Sequence, residues 1–194
     1  MDLISLASIT ILSLGFLPGE KSYSMTCTIT VYASTSQSSS SNFTGHAFIS
    51  LTNNSMISIT GGYMSIAPLS SITIGTWGNT QYHTGVWYNL EGYLASSFSD
   101  NVSVSYSFDL SQLYYVNSYI ANHNDTWTLT DNCSTFASSV WNIVCGDTLD
   151  AGLLNTPANL YSSIMSKSYH IEDYPVPYSS NFGYYSGTTF IPFS

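Results

Sequence analysis

The sequence predicts an α+β protein, an antiparallel β-sheet with helices packed on one face. Three observations point to that class. Runs rich in Ile, Val and Thr alternate apolar and polar residues with a period of two, mostly in the first half of the chain. Later segments place apolar residues on one side of a 3.6-residue period behind capping residues, and turn-forming residues separate neighbouring strands. With 194 residues, 44% of them hydrophobic, the chain can bury one sizeable core, so residues 25–194 are expected as a single domain.

TCTITVYA, residues 26–33, reads as the first strand, followed by the Ser-rich stretch 34–42, which has no means of packing. GHAFISL, residues 45–51, is the second. A Thr52-Asn53-Asn54-Ser55 turn leads to a third run near residues 56–60; the Gly61-Gly62 turn and the break at Pro68 precede a fourth near 70–75. VSVSYSF, residues 102–108, is the fifth. Residues 76–94 and the tail from Tyr169 are aromatic and turn-rich, with no clear period.

Three helices are expected. In the first, Asp109 caps, Gln112 stands three residues on, and Leu113, Val116 and Ile120 share a face. In the second, Asn132 caps and Phe136, Ala137, Val140, Trp141 and Val144 form one buried stripe. Thr156-Pro157 caps and opens a short last helix through Leu160 and Ile164.

Residues 3–17 form an apolar run too short to span a bilayer and of the length of a signal-peptide core, with small residues at Ser22 and Ser24 for cleavage before Met25. The segment opens Met1-Asp2 with no basic residue, so residues 1–24 are expected either as a signal peptide or as a packed N-terminal segment. No later run reaches the length of a membrane helix, and no stable membrane insertion is expected.

Charge excludes one class of partner. Only 7% of residues are charged, the cations are Lys21 and Lys167, and the formal net charge is -9, so phosphates of nucleic acid would go unneutralised. Solubility must come from Ser, Thr, Asn and Tyr, which suits a secreted or cell-surface protein. There is no C-x-x-C, no paired-histidine spacing and no glycine-rich phosphate loop, so neither a metal nor another cofactor is expected.

The chemistry centres on Cys133. Behind an Asn132 cap it occupies the first helical position, where unpaired N–H groups and the helix dipole favour a thiolate. Cys145 lies about 18 Å further along the same helix, so if a disulfide forms it joins Cys27 to Cys145 and leaves Cys133 free. A cysteine nucleophile needs a base. Of the four histidines only His46 begins a strand, behind a glycine that lets a neighbouring backbone come close. Trp77, Asn79 and Trp87 could wall a substrate cleft, the alternative being that Trp77 and Trp87 fill the core.

The strand Gly45-His46-Ala47-Phe48-Ile49 and the helix opening Asn132-Cys133-Ser134-Thr135-Phe136-Ala137 resemble the circularly permuted branch of the papain-like NlpC superfamily. That branch includes lecithin retinol acyltransferase-like proteins and related amidases, and in it the histidine strand precedes the cysteine helix. The resemblance spans residues 44–165 in element order and implies a papain-like fold with Cys133 as nucleophile and His46 as base. It also implies a third polar group on the strand after the histidine, where this chain offers Ser58 and Thr60. Asn53, Asn54 and Glu91 could fill that role from loops, with Asn132 supporting the cysteine. The expected activity is hydrolysis of an amide in a peptide or peptidoglycan-like substrate, with acyl transfer as a variant. The alternatives are an exported binding or surface protein without turnover and, further off, carbohydrate hydrolysis by a carboxylate pair that includes Glu91.

Overall fold

The computed structural model describes residues 25–35, 45–78, 81–98 and 100–193. The main sheet contains β1 (Thr26–Ser34), β2 (His46–Asn53), β5 (Ser71–Trp77), β6 (Gly85–Tyr88), β7 (Asn101–Asp109), β8 (Ile171–Glu172), β9 (Phe182–Ser186) and β10 (Thr189–Phe193). These run β10-β9-β6-β5-β2-β1-β7-β8 across the sheet, and every pair is antiparallel. β3 (Ile59–Gly61) and β4 (Met64–Ile66) form a separate hairpin. The helices are α1 (Leu90–Tyr93), α2 (Leu113–Asn122), α3 (Cys133–Val144) and α4 (Pro157–Met165).

Alternation along the central strands divides the sheet into two faces. Ile29, Val31, Ala33, Ala47, Ile49, Leu51, Ile74, Val102 and Val104 point into the main core, together with the α3 stripe Phe136, Ala137, Val140 and Trp141 and with Leu160 and Ile164 of α4. Fully burying each Val, Leu, Ile or Phe side chain of this set is worth about 1.5–3 kcal/mol, so this layer holds α3 on the sheet. Trp141, at zero exposure, also donates its indole N–H to the Asp147 carbonyl at 2.7 Å, fixing the C-terminal end of the helix. α3 therefore lies across β1, β2 and β5 with its N-terminus over the start of β2.

The other face changes character along its length. Near the start of β2 it is aromatic, with Tyr32, Phe48, Trp77, Trp87 and Phe98 packed together. Further along, cross-strand hydroxyls pair: Thr28 with Ser107 at 2.7 Å, Thr30 with Ser105 at 2.9 Å, and Thr52 with Ser71 at 2.8 Å. Such pairs solvate a sheet face without charge.

Several expectations are corrected here. The run near residues 56–60 does not join the main sheet. Asn53 donates to the carbonyls of Ile57, Ile66 and Ala67, which folds the segment into a loop ending in the short β3–β4 hairpin, and Asn117 of α2 holds that hairpin through Gly62 N–H and the Thr60 carbonyl. Asp109 makes no side-chain cap, because a 3-10 turn over Leu110–Gln112 intervenes before α2; the buried face of Leu113, Val116 and Ile120 is as expected. The stretch 76–94 contains β6 and α1, and the tail contains β8, β9 and β10, all too short or too aromatic to show a period. All three cysteines are free thiols, so Cys27, at zero exposure within the main core, and Cys145, at the C-terminal end of α3, are not joined. Residues 1–24, which carry the signal-peptide expectation, lie outside the described residues. Among the described residues no helix is long and apolar enough to cross a membrane.

Candidate active site

Asn132 caps α3 as expected. Its side-chain oxygen accepts from the N–H groups of Ser134 at 2.9 Å and Thr135 at 3.4 Å, while its amide donates to the Leu129 carbonyl at 2.9 Å. The cap takes up those two donors and not that of Cys133, whose N–H is the donor left at the mouth of the helix.

His46 starts β2 directly behind Gly45, whose φ is +98°. A Cβ on Gly45 would stand 2.4 Å from the Ser34 carbonyl oxygen and 3.1 Å from the Pro157 Cβ, so glycine is required for β1, β2 and the start of α4 to converge here. The imidazole is 4% exposed and enclosed by Trp77, Phe98 and Phe48, with ring centroids at 4.1, 5.7 and 5.9 Å.

His46 and Cys133 lie close enough for each to shift the other's acid-base equilibrium, the Ala47 backbone acts on the Cys133 sulfur as well, and the Ser134 hydroxyl stands 4.0 Å from it. His46 Nε2 also lies 3.2 Å from Glu91 Oε1. Glu91 has zero exposure and accepts two more hydrogen bonds, from Trp77 Nε1 at 2.7 Å and Thr73 Oγ1 at 3.3 Å. Its helix, α1, is fixed to β5 because Asn89, with φ 61°, accepts from Thr73 N–H and Thr73 Oγ1 accepts from Gly92 N–H. Gly75 leaves the space: a Cβ there would sit 2.0 Å from Glu91 Oε1.

These contacts set the acid-base state. Burial by itself pushes the His46 pKa down, but the adjacent Cys133 charge and hydrogen bond, followed by Glu91, outweigh it and raise the value to about 9. Burial likewise pushes the Cys133 thiol up, yet the His46 charge and hydrogen bond, with help from Ala47 N–H and Ser134, bring it below the ordinary thiol range. Cys27 is the contrast: burial dominates and pushes it up to about 12. Both shifts run towards thiolate and imidazolium, the reactive form of a cysteine nucleophile.

The pair opens on a cavity of about 480 Å³ lined by Gly45, His46, Thr76, Trp77, Gly78, Trp127, Leu129, Asn132, Cys133, Leu154, Asn155, Thr156 and Pro157. Cys133, His46, Trp77 and Asn132 of the expected site residues meet there, and Glu91 stands directly behind His46. Ser58 does not: it is exposed on the bend before β3, because that segment leaves the main sheet. Trp87 is 2% exposed in the aromatic cluster, donates to the His83 carbonyl at 3.2 Å and does not line the cavity, so it is core. Asn79 lies outside the described residues. Trp77 lines the cavity and also positions Glu91, a role its sequence context did not reveal. Trp127 and Thr76 were also missed. Trp127 reaches the cavity over Gly78, where a Cβ would fall 2.3 Å from its ring, a contact between distant residues that no local pattern signals.

The remaining histidines are used structurally. His83 Nε2 meets the Asn124 carbonyl at 3.0 Å, His123 Nδ1 the Tyr119 carbonyl at 2.8 Å, and His170 Nδ1 the Lys167 carbonyl at 2.7 Å. Among the described residues no group of three or more His, Cys, Asp or Glu stands close enough to hold a metal ion. Compared with known protein families, curated proteins and solved structures, the chain matches none.

Proposed function

We propose that the protein is a cysteine hydrolase on a papain-like, permuted NlpC-like scaffold, cleaving an amide bond in a peptide or cell-wall peptide. The observation that carries this reading is the buried series of contacts from Cys133 through His46 to Glu91 at the edge of an open cavity. The histidine strand preceding the cysteine helix, and the helix packed on an antiparallel sheet, support the resemblance. The hydroxyl-paired outer sheet face and the scarcity of Lys and Arg support an exported location.

The thiolate of Cys133 attacks the amide carbon, forming a C–S bond while the carbonyl π electrons move to oxygen. The Cys133 N–H at the start of α3 stabilises that oxyanion. The His46 imidazolium gives its proton to the amide nitrogen, the C–N bond breaks and the amine leaves, so the enzyme holds a thioester and a neutral imidazole. Water then attacks the thioester, His46 takes its proton, and collapse releases the acid and restores the thiolate–imidazolium pair. Glu91 stabilises the charged imidazole at both ends of the cycle.

Incubation with a peptide library and a cell-wall digest should yield new amino groups with wild type and none with Cys133→Ala. Fast alkylation of Cys133 without cleavage of either mixture would replace this reading by that of an exported binding protein.

A further inference from the structure

One polar side chain in the cavity has no role in the machinery described so far. Thr76 is 2% exposed, lines the same cavity as Cys133 and His46, and its hydroxyl has no hydrogen-bond partner among the described residues. Elsewhere on the sheet, buried and half-buried hydroxyls find cross-strand partners, as Thr30 does with Ser105 and Thr52 with Ser71. A buried hydroxyl without a partner costs about 1–3 kcal/mol, so a group that completes it when a ligand enters is the economical explanation.

Its position identifies the ligand atom. Thr76 follows Ile74 by one alternation on β5 and therefore faces α3, not the aromatic cluster on the opposite face. β2 and β5 pair at Ile49↔Ile74; stepping two residues further along each strand reaches Ala47 and Thr76. Ala47 is the residue whose backbone contacts the Cys133 sulfur. Thr76 thus lines the cavity from its sheet side, and Cys133, at the N-terminus of α3, lines it from the helix side. A carbonyl entering between them meets donors from both sides.

We infer that the Thr76 hydroxyl is the second oxyanion donor of the site, completing with the Cys133 N–H the hole for the acyl oxygen of a neutral amide or ester. This rests on the cysteine-hydrolase reading. The group expected there is an uncharged acyl carbonyl, because Trp127, Leu129, Leu154 and Pro157 line the cavity with the neutral Asn132, Asn155 and Thr156, and no Lys or Arg does.

The test separates thiolate reactivity from carbonyl chemistry. Iodoacetamide alkylation is a displacement at a saturated carbon and forms no oxyanion; acylation by p-nitrophenyl acetate does form one. Thr76→Val, which keeps the shape and removes the donor, should lower the burst acylation rate about 100-fold while leaving alkylation of Cys133 within about twofold of wild type. Thr76→Ser should restore most of the acylation rate. The melting temperature of Thr76→Val should be no lower than that of wild type, since no protein hydrogen bond is lost. Wild-type acylation rates in Thr76→Val with normal alkylation would overturn the assignment, as would failure of Thr76→Ser to recover the rate. If wild-type Cys133 is itself sluggish in both reactions, the cysteine-hydrolase reading fails and takes this inference with it.

Discussion

Replacing His46 with alanine removes the charge and hydrogen bond that offset burial at Cys133. What remains is a thiol that burial pushes up, helped only by the Ala47 N–H, the Ser134 hydroxyl and the helix start. A dipole contribution of about 0.3–1 kcal/mol at an exposed site corresponds to well under one pH unit, so it cannot compensate. The Cys133 pKa should therefore rise to at least the free value of about 8.5. At pH 7 a thiol of that pKa is only about 3% ionised, so alkylation should slow roughly 30-fold if the wild-type cysteine is fully ionised there. The assay is the rate of Cys133 carboxamidomethylation against pH, read by peptide mass, in His46→Ala and in His83→Ala, His123→Ala and His170→Ala. The last three contact backbone carbonyls away from the cavity and should overlay wild type. An unchanged curve in His46→Ala would refute the pairing and, with it, the enzyme reading.

Four further outcomes follow from the same geometry. The reactive state needs a charged imidazole, so activity should fall on the alkaline side as His46 loses its proton near its value of about 9. Glu91→Gln exchanges a charge-assisted hydrogen bond for a neutral one, a loss of about 1–1.5 kcal/mol that disfavours the imidazolium and should move this alkaline limb to lower pH by roughly one unit; a limb that stays put in a kcat/KM profile would contradict Glu91 as the orienting acid. Gly75→Ala drives a methyl group into Glu91 Oε1, so it should reproduce the alkaline shift and cost about 1–3 kcal/mol in urea denaturation, whereas wild-type values in both would show that α1 moves freely. Asn132→Ala should destabilise the fold by about 1 kcal/mol, measured by thermal unfolding, because two N–H groups of the first turn of α3 lose their acceptor.

Much of this protein was legible locally. β1, β2, β5 and β7 follow from alternation, because one face of each packs against helices and the other faces hydroxyls or aromatics. The Asn132 and Thr156 caps and the α3 stripe follow from a helix's own backbone requirements, which are met within one turn. Those local facts were enough to single out Cys133 at a helix start and His46 at a strand start.

The tertiary structure decided the rest, for reasons no short window contains. Glu91 was one of several polar candidates; it was selected because α1 is fixed to β5 through Asn89 and Thr73, and because Gly75 leaves room for the carboxylate beside His46. Ser58 was removed from the site by Asn53, whose hydrogen bonds to three carbonyls turn the chain away from the main sheet. Trp77 and Trp87 are indistinguishable in sequence, yet one serves the carboxylate and the other the core, depending on where β5 and β6 place each indole. Thr76 shows the same limit: a hydroxyl in a strand is ordinary until the fold leaves it buried, without a partner among the described residues, and lining the same cavity as Cys133. Periodicity reports which face a residue occupies, whereas a catalytic contact requires a distance between residues far apart in the chain, and packing alone sets that distance.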